Sequence, residues 1–264
     1  MKNSEKVLHP CFNEKCINSI KRLHLPIAPK CNIHCSFCNR QVSCTSLKKP
    51  GITKRILKSN EVEDYIKTVN KDSCIFGIAG PGEALFNAET FEVLNILKNY
   101  NTCLCTNGLL LEEKIDELIK LNLNYLSITI NSLDYEIAAK IYDFVNYKGQ
   151  IYKGIKGAEL LINKQLSGLE KASKYDIRLK VNTVYIPGIN DSQIIKISKL
   201  CKNYNVDIMN IIPVISDEFE PGDINDKVVK LRKEASKYIA QKEYCARCRA
   251  DAFGYVDKED EKIG

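Results

Sequence analysis

No stretch of this sequence approaches the roughly 20 consecutive apolar residues that a membrane-spanning helix needs. Met1-Lys-Asn-Ser-Glu-Lys is followed by no apolar run of the kind a secretory leader carries. These absences argue against a helical membrane protein and set the expectation of a soluble, cytoplasmic chain. Internal repeats and low-complexity tracts are missing too, which argues against solenoids and linker-like segments. Nor is there a basic stripe interleaved with aromatics. The net charge of +6, from 39 Lys and Arg against 33 Asp and Glu, is spread through helical segments. That pattern predicts no nucleic-acid surface; solvated faces of helices covering a sheet explain it better. What the chain does have is cysteine, twelve in 264 residues. A chain this long buries a core without disulfide staples, so in a reducing compartment the thiols read as ligands.

Three of them stand in Leu25-Pro-Ile-Ala-Pro-Lys-Cys31-Asn-Ile-His-Cys35-Ser-Phe-Cys38-Asn-Arg40, at Cys-x3-Cys-x2-Cys. Three thiolates can hold three irons of a cubane cluster and leave the fourth open to a chelating small molecule; soft sulfur ligands favour iron-sulfur over hard cations. The competing reading is zinc, but zinc pairs usually come as Cys-x2-Cys or Cys-x4-Cys with a fourth ligand closing a tetrahedron. The stretch, including Phe37 before the third cysteine, resembles the cluster loop of the radical S-adenosylmethionine (SAM) superfamily.

The rest alternates strand and helix. Apolar runs predict strands over Leu23–Ala28, Ser73–Ala79, Thr102–Thr106, Tyr125–Ile130, Ile177–Val184 and Val206–Val214. Helical spacing covers Asn60–Val69 (Asn60 as its N-cap), Glu89–Leu97, Leu111–Leu121, Tyr135–Val145, Gly157–Ala172 (interrupted at Ser167-Gly168), Gln193–Asn205 and Lys227–Lys242. Six mostly apolar strands with helical crossovers predict an α/β fold with parallel pairing, a partial (β/α)6 TIM-like barrel of the radical SAM type. One domain over 1–264 is expected: a ligand-bearing arm at 1–21, the partial barrel at 22–242, and a cysteine-bearing segment and tail at 243–264.

Loops after parallel strands share one face, where ligands bind. Cys31, Cys35 and Cys38 follow the first strand, Gly80-Pro-Gly82-Glu83 the second, Thr106-Asn107-Gly108 the third and Asn131 the fourth, while Asn182 lies late in the fifth. Glycines let backbone approach a ligand, and Glu83 could accept from an amine or a ribose hydroxyl. Alone, Gly-Pro-Gly is a turn; after this cluster loop it resembles the superfamily's SAM-amine motif. Cys74 and Cys201 read as small apolar core residues. Cys245-x2-Cys248 is half of a metal site. Donors for further clusters are Cys11, Cys44 and Cys103, with His9, Cys16 or Cys105; Cys103 and Cys105 point to the same side of their strand.

His9-Pro-Cys11, the loop from Leu25 to Arg40, Gly77-Ile-Ala-Gly-Pro-Gly-Glu83, Thr106-Asn-Gly108, Lys180-Val-Asn-Thr-Val-Tyr-Ile-Pro-Gly-Ile-Asn-Asp191, Met209-Asn-Ile-Ile-Pro213 and Cys245-Ala-Arg-Cys248-Arg-Ala-Asp-Ala-Phe-Gly254 together resemble the NifB family of nitrogenase-cofactor maturases. The resemblance covers nearly the whole chain. It implies a SAM-binding [4Fe-4S] cluster on Cys31, Cys35 and Cys38, and SAM held by the Gly80, Gly82, Glu83, Thr106, Asn107, Asn131 and Asn182 loops. It also implies two auxiliary [4Fe-4S] clusters, one on Cys11, Cys44 and Cys103 and the other on Cys245 and Cys248, fused with a SAM-derived carbide and an added sulfur into an [8Fe-9S-C] precursor. Implied partners are a cluster donor, a cofactor-carrier or scaffold protein and a ferredoxin or flavodoxin reductant. Where the family has an acidic residue after Cys44 this chain has Ser46-Leu47-Lys48-Lys49, and where it has a histidine pair after Cys11 this chain has Ile17-Asn18. The ligands completing the second auxiliary cluster therefore stay open between His9 and Cys16. The competing functions are a radical SAM enzyme with auxiliary clusters acting on a peptide or small molecule, and an iron-sulfur carrier.

Overall fold

The computed structural model describes residues 9–38, 40–44, 50–67, 74–78, 80–215, 221–245 and 247–256. Outside them lie Asn39 of the cluster loop, the lysine-rich loop at 45–49, the end of the first predicted helix at 68–69, the strand-terminal Ser73 and Ala79, and the charged tail. Six parallel strands carry the molecule: β1 (Lys21–His24), β2 (Cys74–Ile78), β3 (Thr102–Thr106), β4 (Tyr125–Thr129), β5 (Arg178–Tyr185) and β6 (Ile208–Pro213). Each pairs with its sequence neighbour, and a short β7 (Phe253–Gly254) adds antiparallel to β1, giving the order β6-β5-β4-β3-β2-β1-β7. This is a curled half-barrel with helical crossovers, as the alternation predicts. The carboxyl-terminal segment, expected to lie outside the barrel, supplies its edge strand.

Helices α1 (Ser59–Lys67), α2 (Glu89–Ile96), α3 (Leu111–Lys120), α4 (Tyr135–Ile141), α5 (Gly154–Ala172), α6 (Ile194–Asn203) and α7 (Pro221–Ala235) complete the fold. Side chains alternate across a strand, and register decides which share a face. Leu23 and Phe76 are paired; so are Ile78, Leu104, Leu126 and Leu179; so are Ile128, Val181 and Met209. All are buried in one apolar core, each contributing roughly 1.5–3 kcal/mol of transfer free energy. The opposite face is not apolar. Its paired positions include His24, Gly77 and Cys103, then Cys105, Ser127 and Lys180, then Thr129, Asn182 and Asn210. A barrel interior normally filled by branched aliphatic layers is here lined with polar and sulfur-bearing groups.

Several boundaries differ from the sequence reading. The first strand ends at His24 because Pro26 donates no N–H; a single bridge from Ala28 to Pro81 continues the path. Asn60 lies inside α1, whose first turn is held by the Glu61 carboxylate accepting from the Lys58 amide at 2.8 Å. The helix predicted over Tyr135–Val145 stops at Ile141, where aromatic and β-branched residues take over and Tyr142–Tyr147 forms a hairpin with Gln150–Tyr152. The last helix ends at Ala235, not Lys242.

Ser167-Gly168 does not interrupt α5, since Gly168 is where α5 meets α3: a Cβ there would lie 2.8 Å from Leu111 Cβ. Gly168→Val should therefore overpack the contact and cost about 1–3 kcal/mol, read as a lower thermal midpoint. An unchanged midpoint would show that α3 and α5 can separate freely.

Candidate functional site

The loop after β1 is folded back by two devices. Ile33–Cys35 pairs antiparallel with Tyr142–Tyr147, and the Cys38 amide donates to the Cys35 carbonyl at 3.0 Å. Phe37 is half-buried against the core. Burial raises the Cys35 thiol well above the ordinary range, and the neighbouring charges of Cys38 and Cys31 push further the same way. Cys31 is pushed up to about 11, chiefly by burial, with Glu83 and Cys38 adding to it. Cys31 and Cys35, whose ionisation is opposed by burial and by neighbouring negative charge, are groups that a bound cation would relieve. Among the described residues, no three Cys, His, Asp or Glu side chains meet closely enough to hold one metal ion. A cubane is different, because it bonds each thiolate to a separate iron and needs its ligands around a volume. An open cleft of about 350 Å³ lined by Pro29, His34, Cys38, Arg40, Val42 and Pro81 adjoins them, within the size range of small-ligand sites.

The Gly80–Glu83 turn is stitched to the entry of the cluster loop. Gly82 N–H donates to Ala28 O at 2.5 Å and Glu83 N–H to Lys30 O at 2.9 Å. A Cβ on Gly82 would come within 2.2 Å of Lys30 O, so only glycine permits this approach; Gly80 has φ +114°. The sequence suggests Glu83 as an acceptor for a ligand amine, but the structure uses its carboxylate internally. Glu83 is 3% exposed. It accepts from Thr106 Oγ1 at 2.6 Å, Asn107 N at 2.6 Å and Leu85 N at 3.0 Å. Burial raises its pKa against those three bonds. Glu83 thus clamps the loops after β2 and β3 together. Asn107 in turn reaches Asn32 Oδ1 at 2.8 Å and Cys31 Sγ at 3.9 Å. Asn131 is fully buried and braces the loops after β4 and β5, accepting from Val184 N at 2.9 Å and, through its carbonyl, from Asn190 at 3.0 Å.

The inner face of the sheet gathers most of the remaining thiols. Cys103 and Cys105 project there from β3. Gly77 makes room for Cys103, since a Cβ would sit 2.9 Å from both Cys103 Sγ and His24 Cδ2. Asn210 Nδ2 donates to Asn182 Oδ1 and to Cys245 Sγ, each at 3.3 Å. Arg22 Nε donates to Cys248 Sγ at 3.2 Å. The charge of Cys11 acts on both Cys103 and Cys248. Burial alone would raise the Cys11 thiol, yet Lys180, a hydrogen bond with His9, and Lys242 hold it well below the ordinary thiol range.

His9 Nδ1 accepts from the Cys11 amide at 2.9 Å, so the neutral ring keeps its proton on Nε2, a buried atom without a partner. His9 thus lies beside Cys11, as one of the ligand candidates that the sequence offers. Cys16 is buried in the one-turn helix Glu14–Cys16. Cys44 is joined through its carbonyl to Arg249 at 2.7 Å, beside Cys248; Asp251 holds Arg249 at 2.7 Å and the Lys54 amide at 2.6 Å. That clamp ties the Cys44 loop to the carboxyl-terminal thiols. Cys74 and Cys201 are buried core residues, as expected, each pushed up to about 12 by burial.

Arg22, His24, Lys180, Asn210 and Arg249 are parts of this site that sequence reasoning passed over. The signal for one of them was present: Lys180 stands two residues before Asn182 in an alternating strand and must share its face.

Comparison with known proteins agrees with this geometry. Residues 25–201 match the model of the Radical SAM superfamily. The chain is 43% identical to the FeMo cofactor biosynthesis protein NifB of Methanocaldococcus infernus over 264 aligned residues, covering 96% of this chain and 87% of that protein. With NifB of Methanocaldococcus jannaschii the identity is 41%, covering 94% and 86%. The chain belongs to the NifB family. It is a radical SAM enzyme of nitrogenase-cofactor biosynthesis. Two solved structures share the fold: SuiB of Streptococcus suis (TM-score 0.59, 14% identity, 85% of this chain and 49% of that one) and anSMEcpe with bound AdoMet and a peptide (0.59, 17%, 83% and 63%). The superfamily implies a [4Fe-4S] cluster and SAM, and the crowded thiols of Cys31, Cys35 and Cys38 beside an open cleft fit them. Cys11, Cys245 and Cys248 fall outside the superfamily match, so the NifB-like alignment, not the general domain, includes the terminal thiols.

Glu83→Ala should lose about 2–4 kcal/mol of stability, the cost of orphaning buried donors, together with SAM affinity. Weakened SAM binding at an unchanged melting temperature would restore Glu83 as a direct ligand. Gly77→Ala should displace Cys103 and lower the iron taken up on reconstitution while SAM cleavage persists; full iron content in that variant would mean Cys103 holds none.

Proposed function

We propose that this chain joins two auxiliary [4Fe-4S] clusters, one carbon from a SAM methyl group and one further sulfur into an [8Fe-9S-C] precursor of the nitrogenase cofactor. The clusters are substrates. The observation that supports this reading is that the one inner face carries Cys103 and Cys105 and also the hydrogen bonds that reach Cys245 from Asn210 and Cys248 from Arg22. Ligands of two clusters sharing one chamber is the arrangement that fusion requires.

In this reading Cys31, Cys35 and Cys38 hold the SAM-binding cluster at the rim. When bound, that cluster and SAM supply the reductive carbon–sulfur cleavage and radical chemistry. The protein's own work is positional. The Gly82 and Asn107 backbone, locked by Glu83, shapes the SAM side of the cleft. Cys11, Cys44 and Cys103 take one substrate cluster; Cys245 and Cys248 take the other. Arg22 and Asn210 direct N–H donors at Cys248 and Cys245, orienting the thiolates as outer-shell partners do. His9 Nε2 is a buried donor that an anionic cluster would satisfy. The remaining ligands come from Cys105 or Cys16. Delivery and removal fall to a cluster donor and a carrier or scaffold protein, with a ferredoxin or flavodoxin supplying electrons. The reading involves no nucleic acid or membrane and places the protein in the cytoplasm; among the described residues no helix is long and apolar enough to cross a membrane.

Anaerobic reconstitution tests this. Wild-type protein should hold about twelve irons, four per cubane. Replacing Cys245 and Cys248 together by Ala should remove about four and leave 5'-deoxyadenosine production intact. Replacing Cys31, Cys35 and Cys38 by Ala should abolish that product and leave about eight irons bound. A wild-type ceiling near eight would rule out fusion of two clusters, and one near four would reduce the chain to a simpler radical SAM enzyme.

A further inference from the structure

Lys180 is 5% exposed. It stands on the inner face in register with Ser127, which is itself in register with Cys105. Two residues on, Asn182 is linked through Asn210 to Cys245 Sγ. Its ammonium lies 5.5 Å from the ring of Phe12, the residue after Cys11. The side chain is therefore flanked by the amino-terminal arm, by β3 and by the carboxyl-terminal segment, each of which brings a thiol.

Among the described residues no carboxylate lies within ion-pair distance of Lys180. The other buried cations nearby have assigned acceptors: Arg22 donates to Cys248 and to Gly254 O at 2.7 Å, and Lys242 to Pro10 O at 3.0 Å. A buried ammonium without an anion is costly. Cys11 provides the compensation here: Lys180 is foremost among the groups that hold its thiol well below the ordinary range, and its charge in turn favours the ammonium against burial. The chamber thus carries a fixed positive charge placed between both proposed ligand sets.

We infer that Lys180 is a positioning residue that balances the charge of both auxiliary clusters at once, holding them side by side and favouring their reduced states. The inference rests on the two-cluster reading. Thiolate-ligated clusters are anionic and gain a further negative charge with each electron accepted, so a nearby cation stabilises the reduced form more than the oxidised one. The SAM cluster is the internal reference: its thiols Cys31, Cys35 and Cys38 lie in the loop after β1, whereas Lys180 is in register with Ser127 beside Cys105.

The test compares anaerobically reconstituted wild type, Lys180→Met and Lys180→Arg. Iron content is measured first, then dithionite titration followed by electron paramagnetic resonance. Lys180→Met should shift the reduction equilibrium of the auxiliary clusters at least tenfold towards the oxidised form, about 59 mV for one electron. Lys180→Arg should restore it, and the SAM cluster should not move. Auxiliary iron lost in Lys180→Met and retained in Lys180→Arg also supports the inference. Equal potentials in all three proteins, or failure of Arg to restore the wild-type value, would overturn it. A wild-type ceiling near four irons would instead remove the two-cluster reading itself.

Discussion

Parallel register across six strands is the constraint on which the rest depends. Paired positions in a parallel sheet present their side chains to one face, so the two faces can be given opposite chemistry residue by residue. Here one face is aliphatic and packs under the helices, while the other carries Cys103, Cys105, Lys180, Asn182 and Asn210. Slipping one strand by a single residue would turn thiols into the helical core and leucines into the chamber. Stability and cluster chemistry are therefore specified by the same pairing.

Assembly of the site then follows from segments that the sheet brings together. The loop after β1 is braced by Gly82 and Glu83 from the loop after β2, and Glu83 also holds Thr106 and Asn107 after β3. Segments near both termini reach the inner face. Cys11 comes from the arm, and Cys245 and Cys248 come from the segment that forms the edge strand β7. Lys242 ties these ends through Pro10, as does Glu14 by accepting from the Glu243 and Tyr244 amides at 3.1 Å. The terminal segments, outside the matched superfamily range, thus complete a chamber that the half-barrel alone would leave open.

Much of this was legible in the sequence. The six strands and their order follow from hydrophobic runs and punctuation, and the cluster loop from spacing alone. Cys74 and Cys201 were separable from the ligands because they sit in apolar patterns. What was missed has a common cause. Lys180 lies in a predicted strand and Lys242 at the end of a predicted helix, and neither stands out in the sequence, because composition cannot tell a charge on the outside from one facing a polar interior. The hold of Glu83 on Thr106 and Asn107 is invisible in the sequence, since they lie 23 and 24 residues away. The Tyr142–Tyr147 hairpin was read as helix because its pairing with Ile33–Cys35 is made more than 100 residues back. In each case a long-range contact, not local propensity, made the decision.

The central claim is that two substrate clusters share one chamber around Cys11. Electron paramagnetic resonance of the dithionite-reduced Cys31→Ala, Cys35→Ala, Cys38→Ala protein tests it directly, because the SAM cluster is then absent from the spectrum. The account predicts two auxiliary signals broadened and fast-relaxing through mutual magnetic coupling. Two independent, uncoupled signals, or a single one, would contradict it.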